Sequence, residues 1–372
     1  MSDSPITNYQ LPFKCSNCGR LYPLDLPNWK CPVCGGLLNL SAPAVFDPAQ
    51  IDERARGVWR YRHTFPLPAD AEPVTLGEGD TPLIPISIDG RVAHFKMEGL
   101  NPTGSFKDRG MAVMFTALKF IGLPEALEDS SGNAGAAFAG YAARAGIKAR
   151  VFVPSSASGP KRAQIEAYGA ELVPVEGPRS KASEAAQAAA QGAHAYYGSH
   201  IYNPLGLAGN ATVAYEIREQ LGHAPESIII PVGHGTLLLG LHRGFKALQE
   251  AQLIERLPRL IAVQAMACAP IWAVHRYGRD GLRWVTEGQT IAEGIRVFQP
   301  VRGDAVLAAI AETGGTVLAY EDDAIRAGRE ALAHLGVYAE PTCGVVWEAL
   351  KQVTGEGEGV VMVTGSGLKS LG

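Results

Sequence analysis

Lys107 and four cysteines are the residues whose types and spacing point most directly to chemistry. Cys15 and Cys18, then Cys31 and Cys34, form two Cys-x-x-Cys pairs with 12 residues between them. Thiolates so spaced can converge tetrahedrally on one zinc ion, and a segment this small cannot bury enough apolar surface without a metal. With protein atoms at every ligand position, such a zinc is structural. A ribbon that has lost its metal, or redox-active pairs, are the competing readings. Cys268 and Cys343 stand alone, and in a reducing compartment none of these thiols reads as a disulfide framework.

Lys107 lies in Asn101-Pro-Thr-Gly-Ser-Phe-Lys-Asp-Arg-Gly110, between an expected strand over residues 93–97 and an expected helix over 111–120. The positive end of the helix dipole and neighbouring positive charge favour the neutral amine there, which is the form that attacks a carbonyl to make an imine. A lone lysine at a helix start is more often a solvated charge, so its partners decide. Ser130-Ser-Gly-Asn-Ala-Gly-Ala-Ala137 enters an alanine-rich helix, where exposed amides, Ser131 and Asn133 can hold a carboxylate or a ring hydroxyl. Close packing of a strand–helix turn would call for the same small residues. Pro231-Val-Gly-His-Gly-Thr-Leu-Leu-Leu-Gly240 joins an isoleucine-rich strand to a helix and suits a dianionic phosphate, with Thr236 adding a hydroxyl. The Gly-x-Gly-x-x-Gly spacing of a dinucleotide site is absent. His234 in that loop is either catalytic or a packing residue. Val363-Thr-Gly-Ser-Gly-Leu-Lys369 places the Thr364 hydroxyl after the last expected strand, at the strand end where α/β sheets hold ligands.

The elements that must position these residues follow from the chain as a whole. Its 372 residues, 47% hydrophobic and 19% charged, fit a globular protein of more than one lobe. Short β-like runs alternate with alanine-rich helical ones: 150–154 precedes 159–168, and 172–175 precedes 181–191. That alternation signals βαβ units and parallel sheet. Runs at 227–231, 259–264 and 359–364 are continuously apolar, as expected for strands covered on both faces. Residues 41–73 are rich in proline and read as a connector. A net charge of −4 argues against nucleic acid or an anionic membrane as partner. Lys14, Arg20 and Lys30 are too few to make the ribbon a nucleic-acid adaptor. The apolar stretch 260–274 is interrupted by Gln264 and Pro270 and is shorter than the roughly 20 residues a spanning helix needs. The first residues, Met-Ser-Asp-Ser, show no secretory pattern, so a cytoplasmic location is expected.

Together with Gly77-Glu-Gly-Asp-Thr-Pro-Leu83, these segments occur in the order found in fold-type II pyridoxal-phosphate enzymes, the tryptophan synthase β superfamily. The chain resembles the threonine synthases among them most, over nearly its whole length. The resemblance implies two three-layer α/β lobes with mostly parallel sheets, plus the ribbon. It implies a zinc-ribbon-like segment at 1–45, a large cofactor-binding domain at 46–102 and 201–372, and a small mobile domain at 103–200. By the same resemblance, Lys107 carries pyridoxal 5'-phosphate as a Schiff base and later moves protons, and Phe106 packs near the ring. Asn133 contacts the ring hydroxyl, and Ser130, Ser131, Gly132, Asn133 and Ala134 hold the substrate carboxylate. Gly233, His234, Gly235, Thr236 and Leu237 cradle the phosphate, and Thr364 faces the pyridine nitrogen. A small amino-acid substrate and a homodimer are implied too.

The implied reaction is γ-elimination of phosphate from O-phosphohomoserine and addition of water at Cβ. The alternative is dehydratase-like β-elimination, or β-replacement on an O-activated serine as in cysteate synthase-like proteins. Several positions depart from the synthase pattern. In His200-Ile-Tyr-Asn-Pro-Leu-Gly-Leu207, Ile201 and Gly206 stand where synthases grip phosphate with serine and arginine, leaving Lys161, Arg162 or His200 to compensate. The loop Gly233-His-Gly-Thr, the segments Thr290-Ile-Ala-Glu-Gly-Ile295 and Glu340-Pro-Thr-Cys343, and Ser366 in place of a histidine also differ.

Overall fold

A computed structural model describes residues 11–25, 28–156, 159–191, 195–353 and 358–370. The amino-terminal tetrapeptide read above lies outside the described residues. The strands are β1 (Phe13–Cys15), β2 (Leu21–Tyr22), β3 (Leu38–Leu40), β4 (Leu83–Ile88), β5 (Arg91–Lys96), β6 (Glu125–Glu128), β7 (Lys148–Pro154), β8 (Glu171–Val175), β9 (Ala195–Tyr197), β10 (Ser227–Pro231), β11 (Arg259–Ala265), β12 (Thr316–Tyr320) and β13 (Gly359–Met362). The helices that matter for the site are α1 (Lys107–Phe120), α2 (Asn133–Ala145), α3 (Pro160–Ala167), α4 (Arg179–Gln191), α5 (Leu205–Leu221) and α6 (Thr236–Glu250). The chain forms two compact units, one of residues 1–78 and 107–209, the other of 79–106 and 210–372.

In the first unit β8-β7-β6-β9 make a parallel sheet. Helix α2, almost all alanine and glycine at its start, is buried from Ala134 to Ala142. It stops at Gly146, whose left-handed conformation (φ +72°) lets its amide return to Ala142 O and Ala143 O. Strands β2-β1-β3 form the antiparallel ribbon sheet. The ribbon is not a separate body: Phe13, Tyr22, Leu24 and Leu38 bury in the same apolar cluster as Met111, Phe115, Phe138 and Tyr141. Residues 46–78, expected with the large lobe, also belong to this unit, because Val58, Trp59, Phe65, Leu67 and Val74 fill that cluster. Glu78 anchors the segment, accepting from Trp59 Nε1 at 2.8 Å and from Tyr141 Oη at 2.6 Å.

The second unit holds the sheet β12-β11-β10-β13-β5-β4, parallel except for β4. β10 and β13 are buried almost throughout, as β-branched strands covered on both faces should be. The edge strand β4 turns into β5 through Asp89 and Gly90, both at positive φ (+51° and +79°), the two-residue turn that matches strand twist. Periodicity alone does not reveal β4. No helix among the described residues is long and apolar enough to cross a membrane.

Candidate active site

In the first unit, Lys107 is the first residue of α1, which begins four residues before the expected helix start. Asp108 lies in the first turn, where a carboxylate complements the helix dipole and lets the helix start early. Helix α1 packs on α2, with Phe115 and Phe138 meeting edge to face at 5.0 Å. Asn133 opens α2, with Gly132 as an N-cap that makes no side-chain hydrogen bond. Ser130 is buried and its Oγ accepts from the Gly132 amide at 3.3 Å, shaping the turn. Ser131, Gly132 and Asn133 are partly exposed, and Ala134 is buried. Gly135 is obligatory here, since a Cβ at this position would strike the Ser130 carbonyl.

Sequence reading missed what supports the turn. Glu128 and Asp129, immediately before Ser130, are both buried. His200 Nδ1 lies 3.0 Å from Glu128 Oε1, and the His200 amide donates to Glu128 Oε2 at 3.2 Å. Burial, then the charge of Asp129, holds the Glu128 carboxyl well above the usual carboxylate range, against the pull of Arg179, the His200 amide and Lys107. No local pattern announces this, because residues 128 and 200 meet only through the sheet. Ile201 is buried.

In the second unit, β10 and β13 are parallel neighbours with Ile229 opposite Val361. The loop 233–237 and Thr364 therefore leave the sheet at the same carboxyl end. Helix α6 starts after Gly235, whose φ of +82° and lack of side chain leave the first-turn amides without a side-chain cap. Gly233 lies flat on Ile295 and Val297, where a Cβ would come within 3.0 Å of Val297 Cγ2. A Cβ on Gly235 would collide with Val306. His234 is partly exposed, whereas Thr236 and Leu237 are buried. An uncapped helix start preceded by bare backbone is the donor set a phosphate requires, so these residues fit that group. Phe106 is partly buried, and its amide donates to Thr364 O at 3.1 Å. The Thr364 hydroxyl lies 3.4 Å from Cys343 Sγ.

In the same unit, the end of the 77–83 motif proves to be architecture. Thr81 Oγ1 donates to Glu98 Oε1 at 2.7 Å, and Asn101 Nδ2 donates to Glu98 Oε2 at 3.0 Å. The Gly79 amide donates to Asn101 Oδ1 at 2.9 Å, closing the network.

In the ribbon, the Sγ atoms of Cys15, Cys18, Cys31 and Cys34 all lie within 4.8 Å of one another. The Tyr22 hydroxyl is 2.9 Å from Cys31 Sγ. Four soft thiol ligands converging on one point match a closed tetrahedral zinc site.

Comparison with known proteins follows the same lines. The profile of the family described as pyridoxal-phosphate dependent enzyme matches residues 74–365. The threonine synthase of Methanocaldococcus jannaschii is 34% identical, covering 96% of this chain and 92% of its own. That of Methanosarcina acetivorans is 33% identical over 94% of this chain and 90% of its own. Among solved structures, a threonine deaminase from T.th. has a TM-score of 0.66 at 25% identity, covering 77% of this chain and 92% of that one.

Proposed function

Because the chain belongs to the family of pyridoxal-phosphate dependent enzymes, we propose that it is a carbon–oxygen lyase acting as a threonine synthase, with Lys107 as its catalytic residue. The observation that carries the assignment is the position of Lys107 at the start of α1, in the unit that also holds the small-residue turn 130–134. Lys107 Nζ holds the cofactor and, once substrate displaces it, takes the proton from the substrate Cα. The amides and hydroxyls of Ser130, Ser131, Gly132, Asn133 and Ala134 bind the substrate carboxylate. Gly233, His234, Gly235, Thr236 and Leu237 bind the phosphate dianion, and the Thr364 hydroxyl meets the pyridine nitrogen beside Phe106. When bound, pyridoxal phosphate supplies the sink for electrons released from the broken C–H bond. The four cysteines hold a structural zinc. On the same reading the enzyme is a cytoplasmic homodimer, as fold-type II enzymes commonly are, and its small domain closes on substrate to exclude water.

The buried Ile201 favours a second reading, in which the same residues act on serine, threonine or an O-activated serine by β-elimination or β-replacement. Purified protein offered O-phosphohomoserine, serine, threonine and O-phosphoserine in turn separates the two. Phosphate release with threonine formation supports the synthase, whereas oxo acid and ammonia from serine or threonine support the alternative. Borohydride reduction followed by peptide mapping should label Lys107; a label elsewhere, or none, ends both.

A further inference from the structure

One aromatic side chain of the ribbon reaches the elements that underlie the 130–134 turn. Trp29 lies two residues before Cys31, and its neighbour Lys30 is tied into the ribbon by a bridge to Leu37. The Trp29 ring meets Tyr197, the last residue of β9, at a centroid distance of 5.0 Å and an interplanar angle of 76°. It meets Tyr202 at 4.7 Å and 65°. Lys30 Nζ stands 4.1 Å from the Trp29 ring and 5.2 Å from that of Tyr202. Trp29 also packs against the apolar cluster of Leu127, Phe152 and Ala195.

Between the two tyrosines runs the segment that holds the turn from below. Ser199 Oγ donates to Asp129 Oδ1 at 3.2 Å, and His200 contacts Glu128 through both its ring and its amide. The amides of Tyr202 and Asn203 both donate to Ser199 O at 3.0 Å. Asn203 Oδ1 then accepts from the Leu205 amide at 2.8 Å, which sets the start of α5. A continuous path thus runs from Cys31 along the chain to Trp29, then through Tyr202 and Ser199 to Asp129 and the turn. The tyrosine pair gives Trp29 directional edge-to-face contacts rather than bulk burial alone, so its orientation is transmitted.

We propose that Trp29 is a positioning residue for substrate, by which the metal-closed ribbon clamps residues 199–203 and so fixes the 130–134 turn. The ribbon is then a strut for substrate binding and leaves Lys107, the loop 233–237 and Thr364 alone. The proposal rests on the assignment of that turn to the substrate carboxylate.

The test uses cofactor-loaded full-length protein as wild type, as Trp29→Ala, as Trp29→Phe, and as wild type stripped of the ribbon metal by a chelator. Substrate affinity is read by titrating O-phosphohomoserine and serine against the cofactor absorbance, and the segment by hydrogen exchange at the Tyr202 and Asn203 amides. Trp29→Ala and metal removal should each weaken substrate binding about tenfold and speed exchange at both amides, with kcat and the cofactor band changed less than about twofold. Trp29→Phe, which keeps an aromatic edge, should restore most of the affinity. Should Trp29→Ala fail to fold, Tyr202→Leu removes the opposing ring and carries the same expectation. Unchanged affinity and unchanged exchange would overturn the proposal while an intact cofactor band left the active-site reading standing. Wild type with no cofactor band would end that reading, and the proposal with it.

Discussion

Lys96 Nζ lies 2.6 Å from Glu216 Oε2, and both side chains are buried in the second unit. The ammonium also donates to Thr81 O at 2.7 Å and to Gln220 Oε1 at 2.9 Å, so each of its protons has an acceptor. Glu216 Oε1 in turn accepts from the Asp80 amide at 3.0 Å. Breaking such a pair on one side strands a buried charge, which costs about 3–5 kcal/mol, whereas replacing both partners by apolar residues of similar volume is often close to neutral. Glu216→Gln should therefore lower the stability of the second unit by about that amount, and Lys96→Met with Glu216→Leu should recover most of it. Urea denaturation decides the matter: equal losses in the single and double variants would show that stranding one buried charge is not what destabilises the unit.

Lys96 also shows what a sequence can and cannot say. Its residue type gives it the same chemical credentials as Lys107, and only the flanking motif separates them. Lys107 opens a helix with an acidic first turn and follows a Pro-Thr-Gly turn; Lys96 ends a strand. Motif order and strand–helix alternation are local properties, so the parallel sheets, the loop after β10 and the position of Lys107 were legible. What bridges distant segments was not. Glu128 with His200, Glu78 with Tyr141, and Trp29 with Tyr202 each join residues tens of positions apart, and one sequence carries no signal for such pairings. The ribbon was legible as a cysteine pattern, but its merger with the core of the first unit depends on Phe13, Tyr22 and Leu38, which look like ordinary strand residues.

Glu128 predicts a pH dependence with a definite sign. Its raised pKa means that the folded protein keeps a proton which the unfolded chain releases above the ordinary value of 4.5. The contribution to stability is therefore complete below that value and is lost as pH rises towards the folded pKa. The titratable groups around it are Asp129, Arg179, Lys107 and His200, the last in direct hydrogen-bond contact. Glu128→Gln keeps the shape and removes the titration. As pH rises above the ordinary value of 4.5, the variant should gain stability relative to wild type. Parallel curves for the two proteins would mean that Glu128 is ionised in the native state.

The ribbon offers a test of the proposed metal site that leaves all four cysteines in place. The Tyr22 hydroxyl is held protonated, its pKa pushed up to about 12 first by its hydrogen bond with Cys31 and then by burial. Burial also raises the Cys31 thiol, but Tyr22 and the Cys34 and Val33 amides outweigh that and bring it down to about 6. If Cys31 serves as a thiolate ligand, the Tyr22 hydroxyl 2.9 Å away is the donor, the kind of outer contact that tunes a zinc ligand. Tyr22→Phe should weaken zinc binding about 10- to 100-fold, measured by competition with a chromogenic chelator. Indistinguishable affinities would show that Tyr22 does no more than pack.

Cys343 fixes the Thr364 hydroxyl. Burial pushes its thiol up to about 12, with the Glu340 charge adding to the effect, so it stays S–H throughout the neutral range. The S–H donates to Gly365 O at 3.7 Å, and the sulfur lies 3.4 Å from Thr364 Oγ1, where either atom can donate, so the contact sets where the threonine hydroxyl sits. Cys343→Ala removes that contact and leaves the residues proposed to hold the cofactor unchanged. Since a neutral hydrogen bond contributes about 0.5–1.5 kcal/mol, kcat should fall about 2- to 10-fold and the cofactor band should shift, with KM unchanged. Cys343→Ser, which restores a donor of similar reach, should recover the wild-type spectrum. Thr364→Val should produce a larger spectral shift than Cys343→Ala, because it deletes the group that the thiol orients. If Cys343→Ala altered KM alone, the cysteine would be acting on the substrate side, and the chain of contacts from sulfur through Thr364 would not be the one that matters.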